Sequence, residues 1–335
     1  MGFPACIKPL AGSSSVVSKP FDFLDPLLEI EHKIRELDQL ASETGLGMDD
    51  EILSLRHKLE VMTRKTFDNL NAWQRVQLSR HPARPQTSDY IDHMVTDFVP
   101  LAGDRAFGDD EAIICGLGTI GQTKVMVVGQ QKGKDVHERR RCNFGSPHPE
   151  GYRKAMHKMR LAERFGLPIV AFINTPGAFP GIGAEERGQS IAIAENIRDM
   201  SRLRVPVVCV VIGEGGSGGA LGIGVGDRII TLENSYYSVI SPEGCAAILW
   251  KDGGKAPLAA EALKLTSHAL KDLGIVDEIV QEPAGGAHRA PETMAERLRE
   301  VVLRHLHELQ ALPLEDLLEG RYQKFRTIGS WHENA

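Results

Sequence analysis

Two stretches of the chain, 38 residues apart, repeat one design. "LPIVAFINTPGA" (167–178) and "VPVVCVVIGEGG" (205–216) each place a proline before a β-branched apolar run and end it in a glycine-containing turn. Runs that are apolar at nearly every position are covered on both faces, as strands of a parallel sheet are. Each turn feeds a segment of small residues, "GAEERGQSIAIAENIRDMSRL" after the first and "SGGALGIGVG" after the second; Ile193, Ile197 and Met200 keep helical spacing. Strand–turn–helix units in succession predict parallel strands joined by right-handed crossovers, hence an α/β fold. "DRIITLE" supplies a third strand.

The flanks obey other periods. "EAIICGLGTI" and "TKVMVVGQQ" read as a hairpin turning at Gly121-Gln122, and "EGYRKAMHKMRLAERFG" (150–166) as a helix closed by Gly166. Residues 22–80 are helical: Leu27, Ile30, Ile34, Leu37 and Ala41 follow a 3-4 rhythm, and Ile52, Leu55, Leu59 and Met62 repeat it. "SETGLGMDD" (42–50), with Gly45 and Gly47, separates the two helices, and the prolines of "SRHPARPQTSDY" (79–90) mark a boundary. Leu298, Val302, Leu306 and Leu309 share one face of a C-terminal helix. The expected organisation is a frayed tail (1–21), a helical hairpin packed on its own core (22–85), the α/β domain (86–285) and a C-terminal helical segment (286–325).

Composition narrows the function classes. The longest apolar run, Val205 to Ile212, is too short to span a bilayer. A formal charge of −6 gives no reason to expect nucleic acid or an anionic membrane as partner. The five cysteines are scattered without a C-x-x-C pair, which argues against a thiolate zinc site and for reduced thiols in a cytoplasmic protein. The first twenty residues lack the features of a secretion or transit signal. His148 and the histidines of "RHLH" have no partners at metal-ligand spacing.

The segment 210–227 holds eight glycines in eighteen positions. Gly213, Gly215 and Gly218 spell G-x-G-x-x-G, and Gly215, Ser217 and Gly219 spell G-x-S-x-G. A dinucleotide fingerprint should open its domain, and this one comes late, after a sister unit; Glu233 as ribose partner has no supported strand pairing. A nucleophilic Ser217 needs a base, for which His268 or His288 stand downstream, and an acid between. The simpler reading makes Ser217 a small residue at a helix N-cap. Paired glycines at a helix start offer bare N–H groups to a developing oxyanion, and two successive turns can build one pocket without a charged catalytic side chain.

The same residues carry a resemblance. "TPGAFPGIGAEERGQS" (175–190), "VIGEGGSGGALGIGVGD" (211–227), "YYSVISPEGCAAILWKD" (236–252) and "NFGSPHPEGYRKA" (143–155) resemble the alpha subunits of bacterial acetyl-CoA carboxylase carboxyltransferase, and "LGIVDEIV" (273–280) resembles the end of the wider crotonase fold. The resemblance runs from about residue 22 to 325. It implies a ClpP/crotonase-type spiral of β-β-α units with an N-terminal helical hairpin and C-terminal helices. It implies transfer of the carboxyl group from carboxybiotin, carried on a separate biotin carboxyl carrier protein, to acetyl-CoA, giving malonyl-CoA for fatty acid synthesis. A beta subunit completes an alpha2-beta2 assembly and brings the zinc and much of the acyl-CoA site; biotin carboxylase is a further partner. The family pattern assigns the biotin oxyanion hole to the N–H groups of Gly218 and Gly219. It places Gly177, Ala178, Gly215 and Gly216 as lining residues; Arg153 and Lys154, at a helix start beside a Pro-Gly turn, read as pocket contacts from their position. A stand-alone acyl-CoA hydratase or isomerase with Glu185, Glu186 and Glu214 as acid/base candidates is the alternative, and the serine hydrolase a lesser one. These carboxylates read first as capping and surface groups. The basic stretch "KGKDVHERRR" (132–141) reads as a solvated loop that could meet CoA phosphates or the beta chain.

Overall fold

A computed structural model describes residues 20–44 and 47–329; the tail before them and Gly45 lie outside the described residues. Helices α1 (Asp25–Thr44) and α2 (Asp49–Asp68) form the hairpin, closed by Ile30, Ile34 and Ile52. Then come α3 (Ala72–Ser79), capped by a reciprocal Asn71–Gln74 box, and α4 (Thr87–Met94). The 79–90 stretch is therefore not a free linker. It carries Arg84 into the interior, where the guanidinium meets Glu282 at 2.5 Å.

Strands β1 (Thr96–Pro100), β2 (Ile113–Ile120) and β3 (Thr123–Gln130) are antiparallel, and β2 turns into β3 at Gly121. Helices α5 (Val136–Arg141) and α6 (Pro149–Arg164) lead to β4 (Ile169–Thr175). Next follow α7 (Ile182–Glu186), α8 (Gln189–Met200), β5 (Val207–Gly216), α9 (Ser217–Leu221), β6 (Arg228–Leu232) and β7 (Tyr236–Ser238). The chain closes with α10 (Pro242–Trp250), α11 (Ala256–Ala262), α12 (Ser267–Asp272), β8 (Glu278–Val280), α13 (Pro291–Gln310) and α14 (Leu314–Arg326). The sheet runs β1-β2-β3-β4-β5-β6-β8, parallel from β3 onward, with β7 pairing the far end of β5. Ile169 pairs with Val207, so the register of β4 on β5 reproduces the spacing of the repeat.

Both faces of the sheet are covered. Val170, Phe172, Val208 and Val210 pack under α4 and α13, through Tyr90, Leu298 and Val302. Ala171, Ile173, Cys209 and Val211 pack under α6, α8 and α9, through Tyr152, Ala192 and Ala220. The second small-residue segment forms only the one-and-a-half turns of α9, because the glycines that follow favour loop over helix. The four cysteines among the described residues are buried and free. α14 is pinned by Arg321, 1% exposed, which holds Asp227 and the carbonyls of Met200, Leu203 and Val205.

Candidate active site

The turn after β4 and the start of α9 meet backbone to backbone. A Cβ on Gly219 would lie 2.5 Å from both the Ala178 nitrogen and the Gly177 carbonyl carbon, so only glycine allows this approach. Within the first turn, Gly177 bends at φ +150° and spends its N–H on the Thr175 hydroxyl at 3.0 Å. Ala178, whose N–H has no acceptor among the described residues, is left as the donor from this turn. In the second turn Gly218 and Gly219 stand at the first helical positions, where the helix supplies no acceptor four residues back. The Gly219 carbonyl is fixed from behind by Gln130 Nε2 at 2.8 Å and the Tyr152 hydroxyl at 3.0 Å. Gln130 also accepts the Asn174 N–H at 3.0 Å, so one buried amide ties the two turns together.

Ser217 and Gly218 open onto a cavity of about 300 Å³ walled by Leu221, Tyr237, Val239 and Phe325. Among the described residues no Asp, Glu or His lines it. Ser217 is exposed, sits at φ +51°, and makes no hydrogen bond through its hydroxyl among the described residues. It is therefore not the N-cap: Gly216 occupies that position, and no side chain caps the helix.

Other expected contacts turn out to be structural. Gly215 and Gly216 belong to β5 and pair with Tyr237 and Ser238; a Cβ there would strike the Tyr237 ring at 2.7 Å and the Pro176 carbonyl at 2.2 Å. They permit close packing and do not line the cavity. Arg153 binds Asp104 at 2.8 Å and the Arg187 carbonyl at 3.0 Å. Lys154, 3% exposed, binds Asp109 at 2.5 Å and the Asp110 carbonyl at 2.7 Å. Both cations are committed away from the glycine turns, because the loop before β2 presents carboxylates to the start of α6.

Glu185 and Glu186 are exposed on α7. Glu214 corrects the surface reading: it is 5% exposed, and accepts from Arg80 at 2.6 Å, from the Tyr236 hydroxyl at 2.9 Å, and from Lys132. Burial alone would raise its carboxyl, yet the Lys132 ammonium and the Arg80 guanidinium bring it down to about 2. A carboxylate held ionised this firmly has no proton to donate. Arg80 and Gln130 were not singled out by the sequence, and Lys132 only as part of the basic stretch 132–141, since their partners lie 44 to 163 residues away.

Residues 20–329 match the family model described as acetyl co-enzyme A carboxylase carboxyltransferase-like. The chain is 56% identical to the acetyl-coenzyme A carboxylase carboxyl transferase subunit alpha of Geobacter metallireducens, over 93% of this chain and 98% of that one. It is 55% identical to the same subunit of Xanthomonas oryzae pv. oryzae, over 92% and 97%. Among solved structures it is similar to transcarboxylase 12S, at 19% identity and a TM-score of 0.52, over 65% of this chain and 43% of that one. It is also similar to the beta subunit of geranyl-CoA carboxylase from P. aeruginosa, at 18% identity and a TM-score of 0.52, over 73% and 46%. These two likenesses bear out the crotonase-type α/β fold.

Proposed function

The chain belongs to the acetyl-coenzyme A carboxylase carboxyltransferase family, and from that premise we propose how it works as the alpha subunit: by backbone amides, without a side-chain acid or base. The reaction moves a carboxyl group from biotin to acetyl-CoA and yields malonyl-CoA. The observation that carries the reading is the meeting of two turns at Gly219 and Ala178, beside a cavity that no carboxylate or imidazole among the described residues lines.

Carboxybiotin supplies the activated carboxyl group and, once relieved of it, a ureido oxygen bearing negative charge. The N–H groups of Gly218, Gly219 and Ala178 hold that oxygen; Gly177 shapes the turn. Leu221, Tyr237 and Phe325 keep water from the reacting centre. Donors fixed before the reaction need no reorganisation during it, and one such donor is worth about 3–4 kcal/mol of barrier.

The ureido group that has given up its carbon dioxide would take the α-proton of the acetyl thioester, and the second enolate so formed, which attacks that carbon dioxide, needs an oxyanion hole of its own. One crotonase-type unit supplies one such pair of turns, so a beta subunit contributes the other, in an alpha2-beta2 assembly that also carries the zinc. Among the described residues no cluster of His, Cys, Asp and Glu is built to hold a metal. A biotin carboxyl carrier protein and biotin carboxylase complete the partners. No described helix is long and apolar enough to cross a membrane, and the assignment to the cytoplasm rests on the reaction.

The test mixes the purified chain with malonyl-CoA and biocytin while a beta subunit is titrated in. Stoichiometric, saturating decarboxylation from a zero baseline is expected. Full turnover by the chain alone contradicts the shared site, and silence with both chains contradicts the transferase reading.

A further inference from the structure

Asn174 and Glu214 stand near the ends of β4 and β5, where the register shifts between Ile173 and Thr175. Beside them, at the carboxyl ends of β3, β4 and β5, lies a second cavity of about 260 Å³. Arg80, Arg84, Lys132 and Arg139 line it, and among the described residues Glu214 is the one carboxylate in its walls. Crevices at the carboxyl ends of parallel strands are where α/β folds hold ligands.

The charges do not close. Arg80 is shared between Glu214 and Glu243, Lys132 meets Glu214, and Arg84 meets Glu282. Four cations therefore face three carboxylates. Arg139 is the one left over: its recorded contact is Nε to the Gly133 carbonyl at 3.3 Å, and no carboxylate among the described residues reaches it. Burial lowers the Lys132 ammonium despite Glu214, and Arg80 and Arg84 lower it further. An anion in the cavity relieves both.

Donors are also waiting. Asn174 is 3% exposed and accepts the Glu214 N–H at its Oδ1, 3.2 Å away. Asn174 lines the cavity, and its Nδ2 has no partner among the described residues. Lys132 retains two of its three N–H donors, and Arg139 both terminal nitrogens. The three side chains come from separate segments: the end of β3, β4 and α5. Donors arriving from three directions suit the tetrahedral oxygens of a phosphate better than the two coplanar oxygens of a carboxylate.

Phe144 lines the rim, 61% exposed, in a left-handed conformation at φ +54°. Asn143 before it and Gly145 after it are left-handed as well, and Gly145 presses on the Lys132 stem, where a Cβ would meet Cγ at 2.5 Å. A bulky residue held so, with its ring to solvent, is a strained feature that packing does not explain.

We propose that this cleft binds a phosphate group attached to a planar ring, the phosphate on Lys132, Arg139 and Asn174 and the ring on Phe144. The choice of ring rests on the proposed function, since adenosine 3′,5′-bisphosphate is the nucleotide head of coenzyme A, but the test reads binding and not turnover, so it can fail while carboxyl transfer stands.

Calorimetric titration of the full chain, at constant ionic strength in chloride, tests it with inorganic phosphate, adenosine 3′,5′-bisphosphate and acetate. Saturable one-to-one binding of both phosphates is expected, the bisphosphate about tenfold tighter through stacking, and none of acetate. Arg139→Ala should weaken both phosphates about tenfold, the loss of one charged hydrogen bond. Arg139 makes no ion pair, so this variant keeps the fold; Arg139→Gln serves as a second. Phe144→Ala should weaken the bisphosphate alone. Unsaturable heats, acetate binding as tightly as phosphate, a bisphosphate no tighter than phosphate, or wild-type affinity in both Arg139 variants overturns the proposal.

Discussion

Gln130 donates from Nε2 to the Gly219 carbonyl at 2.8 Å while its Oε1 accepts the Asn174 N–H at 3.0 Å. The side chain is fully buried and links the end of β4 to the start of α9, the two segments proposed to hold the oxyanion.

Gln130→Glu separates positioning from simple packing. An ionised carboxylate has no donor for the Gly219 carbonyl, whereas a protonated one restores it with nearly the same shape. Burial raises a carboxyl pKa, so protonation falls within the assay range. Turnover should drop at least about tenfold near pH 8, equivalent to about 1.4 kcal/mol of barrier, and recover toward pH 6. A variant with the wild-type pH profile would show that Gln130 does not position the turn.

Gly218→Ala and Gly219→Ala should behave differently. A Cβ at Gly218 meets only Ile193, at 3.8 Å in ordinary contact, so this variant should fold and keep its melting temperature. At Gly219 the Cβ strikes the backbone of Gly177 and Ala178, which cannot yield as a side chain does. Overpacking of that kind costs about 1–3 kcal/mol, and the turns should separate. Equal melting temperatures for the two variants would contradict the packing described.

Ser217→Ala should leave turnover within about twofold, because no carboxylate or imidazole among the described residues lines its cavity. Ser217→Gly should stabilise the chain by about 1 kcal/mol by relieving the left-handed φ of +51°. A thousandfold loss of turnover in folded Ser217→Ala would revive a nucleophilic serine.

His81 and His288 stack with ring centroids 4.0 Å apart. Burial lowers both; the neighbouring His81, Arg84 and Arg289 help bring His288 down to about 3, and Arg84 and Arg289 act on His81. The unfolded chain binds these protons near the ordinary imidazole value of about 6.5. Between the two values the unfolded state holds more protons, so stability is lost as pH falls below about 6.5. Glu214 and Glu282, each held at about 2, act lower: their stabilisation is present above the carboxylate range and disappears as pH drops toward 2. Thermal melts from pH 8 to pH 5 should show a smaller loss for His288→Gln than for wild type. Identical slopes would remove His288 from the acid response.

The parallel core is legible in sequence because a strand covered on both faces must be apolar throughout, and the β4–β5 register equals the spacing of the two runs. The glycines are legible only as a group. Gly215, Gly216, Gly218 and Gly219 look alike in the chain; what a Cβ would touch sets Gly218, which meets only Ile193 at 3.8 Å and lines the cavity, apart from the other three, whose Cβ would strike neighbours at 2.2 to 2.7 Å. Glu214 reads as a surface acid because its cations are distant in sequence: Lys132 lies 82 residues away and Arg80 lies 134. Arg153 and Lys154 read as pocket contacts because a cation near a helix start attracts ligands and neighbouring carboxylates alike, and Asp104 and Asp109 hold them.

The central claim is that backbone N–H groups, not side chains, hold the negative oxygen. Its most direct measurement replaces the amide at one residue by an ester, inserting glycolate in place of Gly218 or of Gly219. The side chain is unchanged, and only the N–H is lost. With the beta subunit present and biocytin as acceptor, kcat should fall about 100- to 1000-fold for at least one of the two, as when an oxyanion donor is removed elsewhere. KM for malonyl-CoA should hold. Unchanged kcat in both ester variants, with the chain folded and the partner bound, would contradict the account.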